Sequence, residues 1–259
     1  MENFIKQIIK KAGDKTLKLF GKVGVKYTKS HASDVVTEAD LLSHRFIVAA
    51  IQKKYPRHGI ISEEDPNLNN KGEYLWIVDP LDGTLNFSRN TPLYGVMIAL
   101  VHNDKVEMSA IYLPYFKELF FAKRNKGAFL NGRRIHCSKF KEWAYSFGTG
   151  PTSIHSKSFL LKNFLKSVPK ERIHFHGFGS VAVDTSYVIT GRRDWIASTA
   201  GGVWDLAAPS LLLQESGCRI TNFNGKSWKL SDMNLAAANP TLHKKLLKVI
   251  HPVRVYKNK

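Results

Sequence analysis

The feature that most constrains the fold is a run of three apolar segments separated by gaps of four residues. The segments are Tyr94–Val101, Val106–Leu113 and Glu118–Ala122. A gap this short joins antiparallel neighbours, whereas a parallel pair needs a crossover of a dozen or more residues. The chain is therefore predicted to form a meander of consecutive antiparallel strands at its centre.

Segments with helical periodicity lie on both sides of this meander. Apolar residues recur at helical spacing over residues 3–20 and 37–54, and Thr37 is positioned to cap the second helix. Further helices are predicted over Val181–Thr190, Asp205–Ser216 and residues 241–250. Tyr74–Val78 is typical of a buried strand that stops at a turn. The fold class is therefore α/β, in the sense of a mixed α+β architecture.

Composition excludes several classes of protein. Two cysteines in 259 residues cannot form a disulfide framework, and no apolar run reaches the roughly 20 residues of a membrane helix. The first residues lack the unbroken apolar stretch of a signal peptide. We expect a cytoplasmic protein with no membrane partner, folded as a single domain over residues 1–259 with a possible division into two layers near residues 140–150.

The charge is strongly basic and unevenly distributed. Lys and Arg number 39 against 21 Asp and Glu, which gives a net charge of +18. Residues 1–29 and 241–259 each carry a surplus of six positive charges, and residues 123–141 hold seven basic residues and no acid. Such surfaces attract phosphorylated metabolites or nucleic acid, and they also occur as ordinary solvated surface.

The acidic residues are more informative, because nine of the 21 fall in four short clusters. The clusters are Asp34/Glu38/Asp40, Glu63/Glu64/Asp65, Asp79/Asp82 and Asp205. The centre is the segment Trp76–Phe87, in which a strand delivers Asp79, Pro80 turns the chain and Asp82 follows. Grouped carboxylates suit Mg²⁺, which prefers oxygen ligands and commonly binds together with phosphate. Backbone N–H groups at a helix start beyond Asp82 would face an anion.

Two other classes of phosphate-binding protein are excluded, because each motif lacks one required residue. An aspartyl-phosphate phosphatase needs Asp-x-Asp, but Pro80 stands two residues before Asp82. Gly225-Lys226-Ser227 resembles the end of a P-loop, but Ile220 occupies the position of the required earlier glycine.

Four separated blocks resemble the inositol monophosphatase family of Mg²⁺-dependent, Li⁺-sensitive phosphatases. They are Asp34–Asp40, Ile60–Glu64, Trp76–Phe87 and Trp204–Ala208 with Glu215–Gly217, and weaker blocks cover Gly127–Gly132 and Gly179–Gly191. The blocks occur in the family's order over about residues 30–220. The resemblance implies a layered αβαβα sandwich of the inositol monophosphatase/fructose-bisphosphatase type, usually dimeric, that hydrolyses phosphate monoesters.

The resemblance also implies a role for each matching position. Two or three Mg²⁺ ions would be held, the first by Glu63, Asp79 and the carbonyl of Leu81, the second by Asp79, Asp82 and Asp205, and a third through waters by Glu63. Thr84 and Asp40 would orient and deprotonate the attacking water. Gly83 and Thr84 would receive the phosphate on their N–H groups, and Ser180 and Ser198 would contact the substrate.

The substrate is the point at which the chain departs from the family. Inositol-phosphate members commonly carry Glu seven residues before the aspartate of the Trp-Asp pair, and here that position is Ser198. A short, uncharged side chain cannot reproduce the contact of a carboxylate with inositol hydroxyls. Inositol 1-phosphate, a related small phosphorylated metabolite and 3′-phosphoadenosine 5′-phosphate all stay open, and the basic charge favours more than one phosphate on the substrate.

A hypothesis of another class is a nucleic-acid or ribonucleoprotein accessory factor built on the same scaffold. The acid-free runs 123–141 and 241–259, with Phe129 and Tyr256 as stacking groups, motivate it.

Overall fold

The computed structural model describes residues 1–30, 32, 34–69, 71–150 and 172–250. The helices of this part are α1 Glu2–Leu19, α2 Glu38–Lys54, α3 Thr84–Ser88, α4 Val181–Ile189, α5 Val203–Glu215 and α6 Pro240–Ile250. The strands are β1 Val25–Thr28, β2 Val35–Thr37, β3 Gly59–Ser62, β4 Tyr74–Asp82, β5 Gly95–His102, β6 Lys105–Leu113, β7 Glu118–Lys123, β8 Gly127–Leu130, β9 Arg133–Ile135, β10 Phe147–Thr149, β11 His174–Phe175, β12 Trp195–Thr199, β13 Arg219–Thr221 and β14 Asn234–Ala238. Tyr256 and the run 251–259 lie outside the described residues.

A seven-stranded sheet with the order β3-β4-β5-β6-β7-β8-β9 forms the larger half of the molecule. Its first pair, β3 and β4, is parallel, and every later pair is antiparallel. The predicted meander is therefore confirmed as β5, β6 and β7. Successive side chains of these strands point to opposite faces of the sheet, and both faces are covered by other elements. This explains why the segments are apolar almost throughout.

A five-stranded sheet with the order β11-β10-β12-β14-β13 forms the smaller half. Strands β10 and β12 run parallel, so their carboxyl ends meet at the same edge. A two-stranded ribbon, β1 with β2, leads into α2.

The layers follow from three apolar cores. Helices α1 and α2 cover one face of the large sheet, and α4 and α5 are packed between the large and the small sheet. Helix α6 covers the outer face of the small sheet, where Trp195 and Leu246 are fully buried. This order is αβαβα, which confirms the predicted layered sandwich. In the part of the chain that is described, no helix is long and apolar enough to cross a membrane.

Two predicted elements differ in extent from the structure. The strand expected to stop at Val78 continues to Asp82 as β4, with a register irregularity against β5 between Asp79 and Asp82. A strand can accommodate Pro80 at such an irregularity, because no ladder hydrogen bond is needed from its nitrogen. The predicted helix beyond Gly83 exists but spans only the five residues of α3.

Candidate metal and phosphate site

Three carboxylates converge where β4 ends. Asp79 and Asp82 are delivered by β4, and Asp205 comes from the first turn of α5. One oxygen from each lies within 4.8 Å of the others. Asp79 and Asp82 are buried, and Asp205 is half-buried. The structure thus brings together three carboxylates, of which the first, Asp79, and the last, Asp205, are 126 positions apart in the sequence.

Backbone N–H groups hold two of these aspartates in place. Asp82 Oδ2 accepts a hydrogen bond from the Ala182 N–H at 2.8 Å and another from the Ser180 hydroxyl. Asp205 Oδ2 accepts from the N–H groups of Gly201 and Gly202, at 2.6 and 3.1 Å. Each side chain is therefore fixed at the first turn of a helix, where the helix dipole also favours a negative charge.

Asp79 supplies the strongest indication of a cation site. Its Oδ1 accepts a hydrogen bond from the Leu81 N–H at 3.1 Å, while its Oδ2 is buried with no hydrogen-bond partner among the described residues. Burial raises the pKa of Asp79 well above its usual value, and repulsion by Glu63 and Asp82 adds to this. Burial also raises the pKa of Asp82, to about 6. A buried cluster of like charges with an unpartnered oxygen is costly unless a cation binds it. The donor set of carboxylate oxygens fits Mg²⁺.

Glu63 stands beside this cluster and is paired with a lysine. The Lys29 ammonium lies 3.2 Å from Glu63 Oε1 and 2.8 Å from Glu64 Oε1. Burial raises the pKa of Glu63 to about 7, although the attraction to Lys29 opposes this. Burial acts to lower the pKa of Lys29, but the two glutamates outweigh it and raise that pKa. Lys29 thus places a positive charge at the edge of the carboxylate cluster.

Asp40 and Thr84 form a hydrogen-bonded pair next to the cluster. Thr84 Oγ1 lies 2.8 Å from Asp40 Oδ1 and 2.9 Å from the carbonyl oxygen of Leu81. Asp40 Oδ2 accepts from the backbone N–H of Thr37 at 2.8 Å, which closes the capping box of α2. Burial raises the pKa of Asp40 to about 6, although its hydrogen bonds oppose this. The helix cap therefore orients a carboxylate of raised proton affinity toward Thr84.

Gly83 lies in the chain between Asp82 of the carboxylate cluster and Thr84 of the Asp40–Thr84 pair. Its φ of 88° lies in the left-handed region, and it is the residue before the first turn of α3. A Cβ at this position would lie 2.9 Å from the Leu93 carbonyl oxygen and 2.9 Å from Ser180 Cβ. Only glycine fits such a position without displacing its neighbours.

A cleft of about 120 Å³ opens from Asp82 between α4 and the small sheet. It contains the predicted residues Ser180 and Ser198, and also Thr149 and Asp184, which were not predicted. Ser180 bonds to Asp82, whereas Ser198 is half-buried and makes only a 3.4 Å contact with the Thr199 carbonyl oxygen. Asp184 accepts a hydrogen bond from the Phe178 N–H at 3.0 Å. Among the described residues that line the cleft there is no Lys or Arg.

The unpredicted residues carried little signal in the sequence. Lys29 is one of eight lysines in the first 29 residues. Thr149 ends a strand of three residues, and its position in the cleft depends on pairing with β12, whose paired residues lie 47 positions further along the chain. Asp184 lies in one of the weaker blocks, Gly179–Gly191, and its place in the first turn of α4 was the only available clue.

Comparisons with known proteins agree with this geometry. The model of the inositol monophosphatase family matches residues 1–254. The fructose-1,6-bisphosphatase/inositol-1-monophosphatase of Thermotoga maritima is 30% identical over 251 residues, which cover 97% of this chain and 96% of that protein. The Nus factor SuhB of Pseudomonas aeruginosa is 35% identical over 235 residues, which cover 88% of this chain and 87% of that protein.

A solved structure is similar in fold. The extragenic suppressor protein suhB from Bartonella henselae aligns with a TM-score of 0.90 at 30% identity, over 97% of this chain and 98% of that one.

Proposed function

Because the chain belongs to the inositol monophosphatase family, we propose that it is a Mg²⁺-dependent phosphatase that hydrolyses a small phosphate monoester with water as the nucleophile. The observation that carries this proposal is the triad of Asp79, Asp82 and Asp205, of which one oxygen each lies within 4.8 Å of the others. In addition, the buried Oδ2 of Asp79 has no hydrogen-bond partner in the described part of the chain. Few arrangements other than a cation site account for such a concentration of negative charge in a protein of net charge +18.

The ligands of the ions are assigned within this cluster. Asp79, Asp82 and Asp205 would hold one Mg²⁺, and Asp79, Glu63 and the Leu81 carbonyl would hold another, with Glu63 available to a third through waters. When bound, Mg²⁺ lowers the pKa of a coordinated water and stabilises the charge on the transferring phosphoryl group. The Lys29 ammonium partly neutralises Glu63.

Thr84 and Asp40 orient the attacking water and accept its proton. The Thr84 hydroxyl has one hydrogen, which it donates to Asp40, and its lone pairs then accept a hydrogen bond from a water in the site. Asp40 holds the proton that the pair withdraws, since burial keeps its pKa near the range useful to a general base. The N–H groups of Gly83 and Thr84 would hold the phosphate, because Gly83 allows close approach of the backbone.

The cleft favours a monophosphate of an uncharged alcohol. Hydroxyl groups and the Asp184 carboxylate line the described part of it, and no described cationic side chain is available there to bind a second phosphate. The basic surface of the molecule therefore lies elsewhere than the described wall of the cleft. We assign inositol 1-phosphate or a related polyol phosphate as the substrate, with 3′-phosphoadenosine 5′-phosphate as the alternative.

A substrate panel tests the proposal. Phosphate release with Mg²⁺ is measured for inositol 1-phosphate, 3′-phosphoadenosine 5′-phosphate and fructose 1,6-bisphosphate, each with and without Li⁺. We expect inositol 1-phosphate to have the highest kcat/KM and Li⁺ to inhibit. A higher kcat/KM for either bisphosphate would reverse the substrate assignment, and no Mg²⁺-dependent release from any ester would reject the phosphatase.

A second candidate function is a nucleic-acid accessory factor. A relative named Nus factor SuhB and the basic run 123–141 favour it. In the structure this run contains β8, β9 and the turns around them, and Lys123, Lys126 and Phe129 line an apolar groove there. Part of its charge is already used, since Arg124 pairs with Glu107 at 2.9 Å.

Salt dependence separates this role from ordinary surface charge. Retention of a labelled single-stranded RNA on a filter would fall steeply between 50 and 200 mM salt if several phosphates were bound, by about 300-fold for six contacts. Lys123→Ser with Lys126→Ser would reduce the slope, and Lys53→Ser with Lys54→Ser on α2 is the matched control. No retention at low salt would eliminate this candidate.

A further inference from the structure

Thr149 carries a buried hydroxyl that the fold does not use. The residue is 1% exposed, and its Oγ1 has no hydrogen-bond partner among the described residues. A buried hydroxyl without a partner destabilises the folded state, so such groups are uncommon in native proteins and call for an explanation. Thr149 also lines the cleft that opens from Asp82. The residue that carries the unused hydroxyl therefore belongs to the wall of the cleft in which the alcohol part of a phosphate ester would bind.

Strand register explains the position of this hydroxyl. Thr149 is the last residue of β10 and pairs with Ile196 of β12. Side chains alternate along a strand, so Ser198, two residues after Ile196, lies on the same face and one step nearer the carboxyl edge. Thr149 and Ser198 thus form a polar patch on one wall of the cleft.

The nearby hydroxyl of Ser180 differs from that of Thr149, because it is already engaged. Ser180 Oγ donates to Asp82 Oδ2 and accepts from the Val183 N–H at 3.2 Å. It therefore positions Asp82 and caps α4, and one further contact with a substrate would compete with those bonds. Within the described part of the chain, the Thr149 hydroxyl uses neither its donor nor its acceptor capacity.

We propose that Thr149 is a specificity-determining residue whose hydroxyl binds a hydroxyl group of the substrate's alcohol, next to the ester carbon. This inference rests on the proposed phosphatase activity and deepens it, since it names a recognition contact for an alcohol that bears further hydroxyls. The contact serves in place of the carboxylate that Ser198 cannot supply. A bound alcohol with a hydroxyl satisfies Thr149, and an alkyl alcohol leaves it unpartnered.

The test compares two esters that differ only in those hydroxyls. Glycerol 2-phosphate carries hydroxyls next to the ester carbon, and isopropyl phosphate lacks them. Thr149→Val keeps the shape of the side chain and removes its hydroxyl, whereas Thr149→Ser keeps the hydroxyl. The quantity measured is the ratio of kcat/KM for the two esters with Mg²⁺. The different acidities of the two alcohols cancel when this ratio is compared between enzymes.

We expect Thr149→Val to lower the ratio about 5-fold, the worth of one neutral hydrogen bond, and Thr149→Ser to keep it within about 2-fold of the native value. Thr149→Val lowers kcat/KM for glycerol 2-phosphate more than it lowers kcat/KM for isopropyl phosphate. Equal losses for both esters would mean that Thr149 is only structural, and no loss for either would mean that its hydroxyl faces no substrate. Either result overturns the proposal.

A third ester separates this inference from the proposed function. Phenyl phosphate has a good leaving group with no hydrogen-bonding atoms, so its hydrolysis reports the metal and phosphate site alone. Hydrolysis of phenyl phosphate with an unchanged ester ratio in Thr149→Val refutes the role of Thr149 and leaves the phosphatase standing. If the native protein with Mg²⁺ hydrolyses none of the three esters, the phosphatase itself fails, and the role of Thr149 with it.

Discussion

The cleft has two walls that the chain builds in different ways. The carboxylate wall consists of the end of β4, α3 and the first turn of α5, and its aspartates are each held by backbone N–H groups. The hydroxyl wall consists of the ends of β10 and β12. Among the described residues, Thr149 Oγ1 has no hydrogen-bond partner there, and Ser198 Oγ makes a 3.4 Å contact with the Thr199 carbonyl oxygen of its own strand. One wall is fixed by many hydrogen bonds, and the other keeps its polar groups available.

This difference indicates that one wall binds the ions and the phosphate and the other recognises the alcohol. Groups that hold ions and phosphate must be fixed before the substrate arrives, because reorganisation during the reaction raises the barrier. Groups that recognise the alcohol can stay unpartnered until it binds. Substitutions on the carboxylate wall should therefore affect every ester alike, and those on the hydroxyl wall should affect only some esters.

The largest effect is expected for Asp82→Asn on the carboxylate wall. It removes a charge from the proposed ion site but keeps an oxygen that accepts from Ala182 N–H, so the fold persists. We expect kcat/KM to fall by about 1000-fold or more for all esters, consistent with loss of several kcal/mol of charge stabilisation. Phosphate release measures this, and circular dichroism checks the fold.

The matched control is Asp104→Asn, the same change at an exposed turn. Mg²⁺ should raise the Tm of the native protein and of this control but not that of Asp82→Asn, because a ligand that binds the folded state stabilises it. A folded Asp82→Asn protein with native activity would contradict the assignment of the carboxylate wall.

The next effect is expected for Gly83→Ala. The new Cβ would be 2.9 Å from the Leu93 carbonyl oxygen, and the alanine would have to adopt the φ of 88° that Gly83 has. The turn between Asp82 and Thr84 must therefore shift. We expect the free energy of unfolding to fall by about 2–4 kcal/mol. Activity should fall by about 100-fold, since a displacement near 1 Å has that cost.

Gly132→Ala is the control for backbone strain alone. Its φ is 83°, and a Cβ there meets no atom within 4 Å. We expect a loss of about 1 kcal/mol and native activity. If the two alanine variants were equally active, the close approach at Gly83 would have no part in the site.

The carboxylate wall could be predicted from the sequence to a large extent, and the hydroxyl wall could not. Asp79, Asp82 and Gly83 are neighbours in the chain, so one short motif and strand-to-helix logic place them together. Asp205 is one of the acidic groups that the sequence singles out, but only the family resemblance joins it to Asp79 and Asp82, because helix α5 approaches β4 by tertiary packing. The predicted strand ends too early, at Val78, because a proline is expected to stop a strand, whereas the irregularity against β5 accommodates Pro80.

Thr149 could not be predicted as a site residue, because its place in the cleft depends on the register of strand pairing. Nothing local distinguishes it from the chain's other threonines until β10 pairs with β12 and leaves its hydroxyl buried. The pairing of Lys29 with Glu63 likewise joins residues 34 positions apart. Partners this distant are set by packing of the layers, which composition and periodicity do not determine.

A smaller and selective effect is expected for Ser198→Glu on the hydroxyl wall. The longer carboxylate can accept hydrogen bonds from inositol hydroxyls, and a charged hydrogen bond contributes about 1.5–3 kcal/mol. We expect kcat/KM for inositol 1-phosphate to rise about 10-fold relative to phenyl phosphate, while Ser198→Ala, which adds no acceptor, does not raise that ratio. Parallel losses for both esters would show that the wall has no room for recognition at this position.

The smallest effect, and the one that tests the contrast most directly, is on stability. Thr149→Val removes a buried hydroxyl that has no partner, so the free energy of unfolding should rise by about 0.5–1 kcal/mol. Thr221→Val is the matched control, because Thr221 is equally buried but its Oγ1 lies 3.1 Å from His243 Nε2. That variant should lose about 1–2 kcal/mol, since it leaves a buried imidazole nitrogen unpartnered.

Opposite signs for the same Thr→Val change would show that the two hydroxyls serve different purposes. At pH 7 the imidazole is neutral, because burial lowers the pKa of His243 to about 4, so the comparison involves no change of charge. Urea unfolding of both variants measures the two free energies. Equal destabilisation would mean that Thr149 has a partner in the folded protein, and its availability to a substrate would then be lost as an argument.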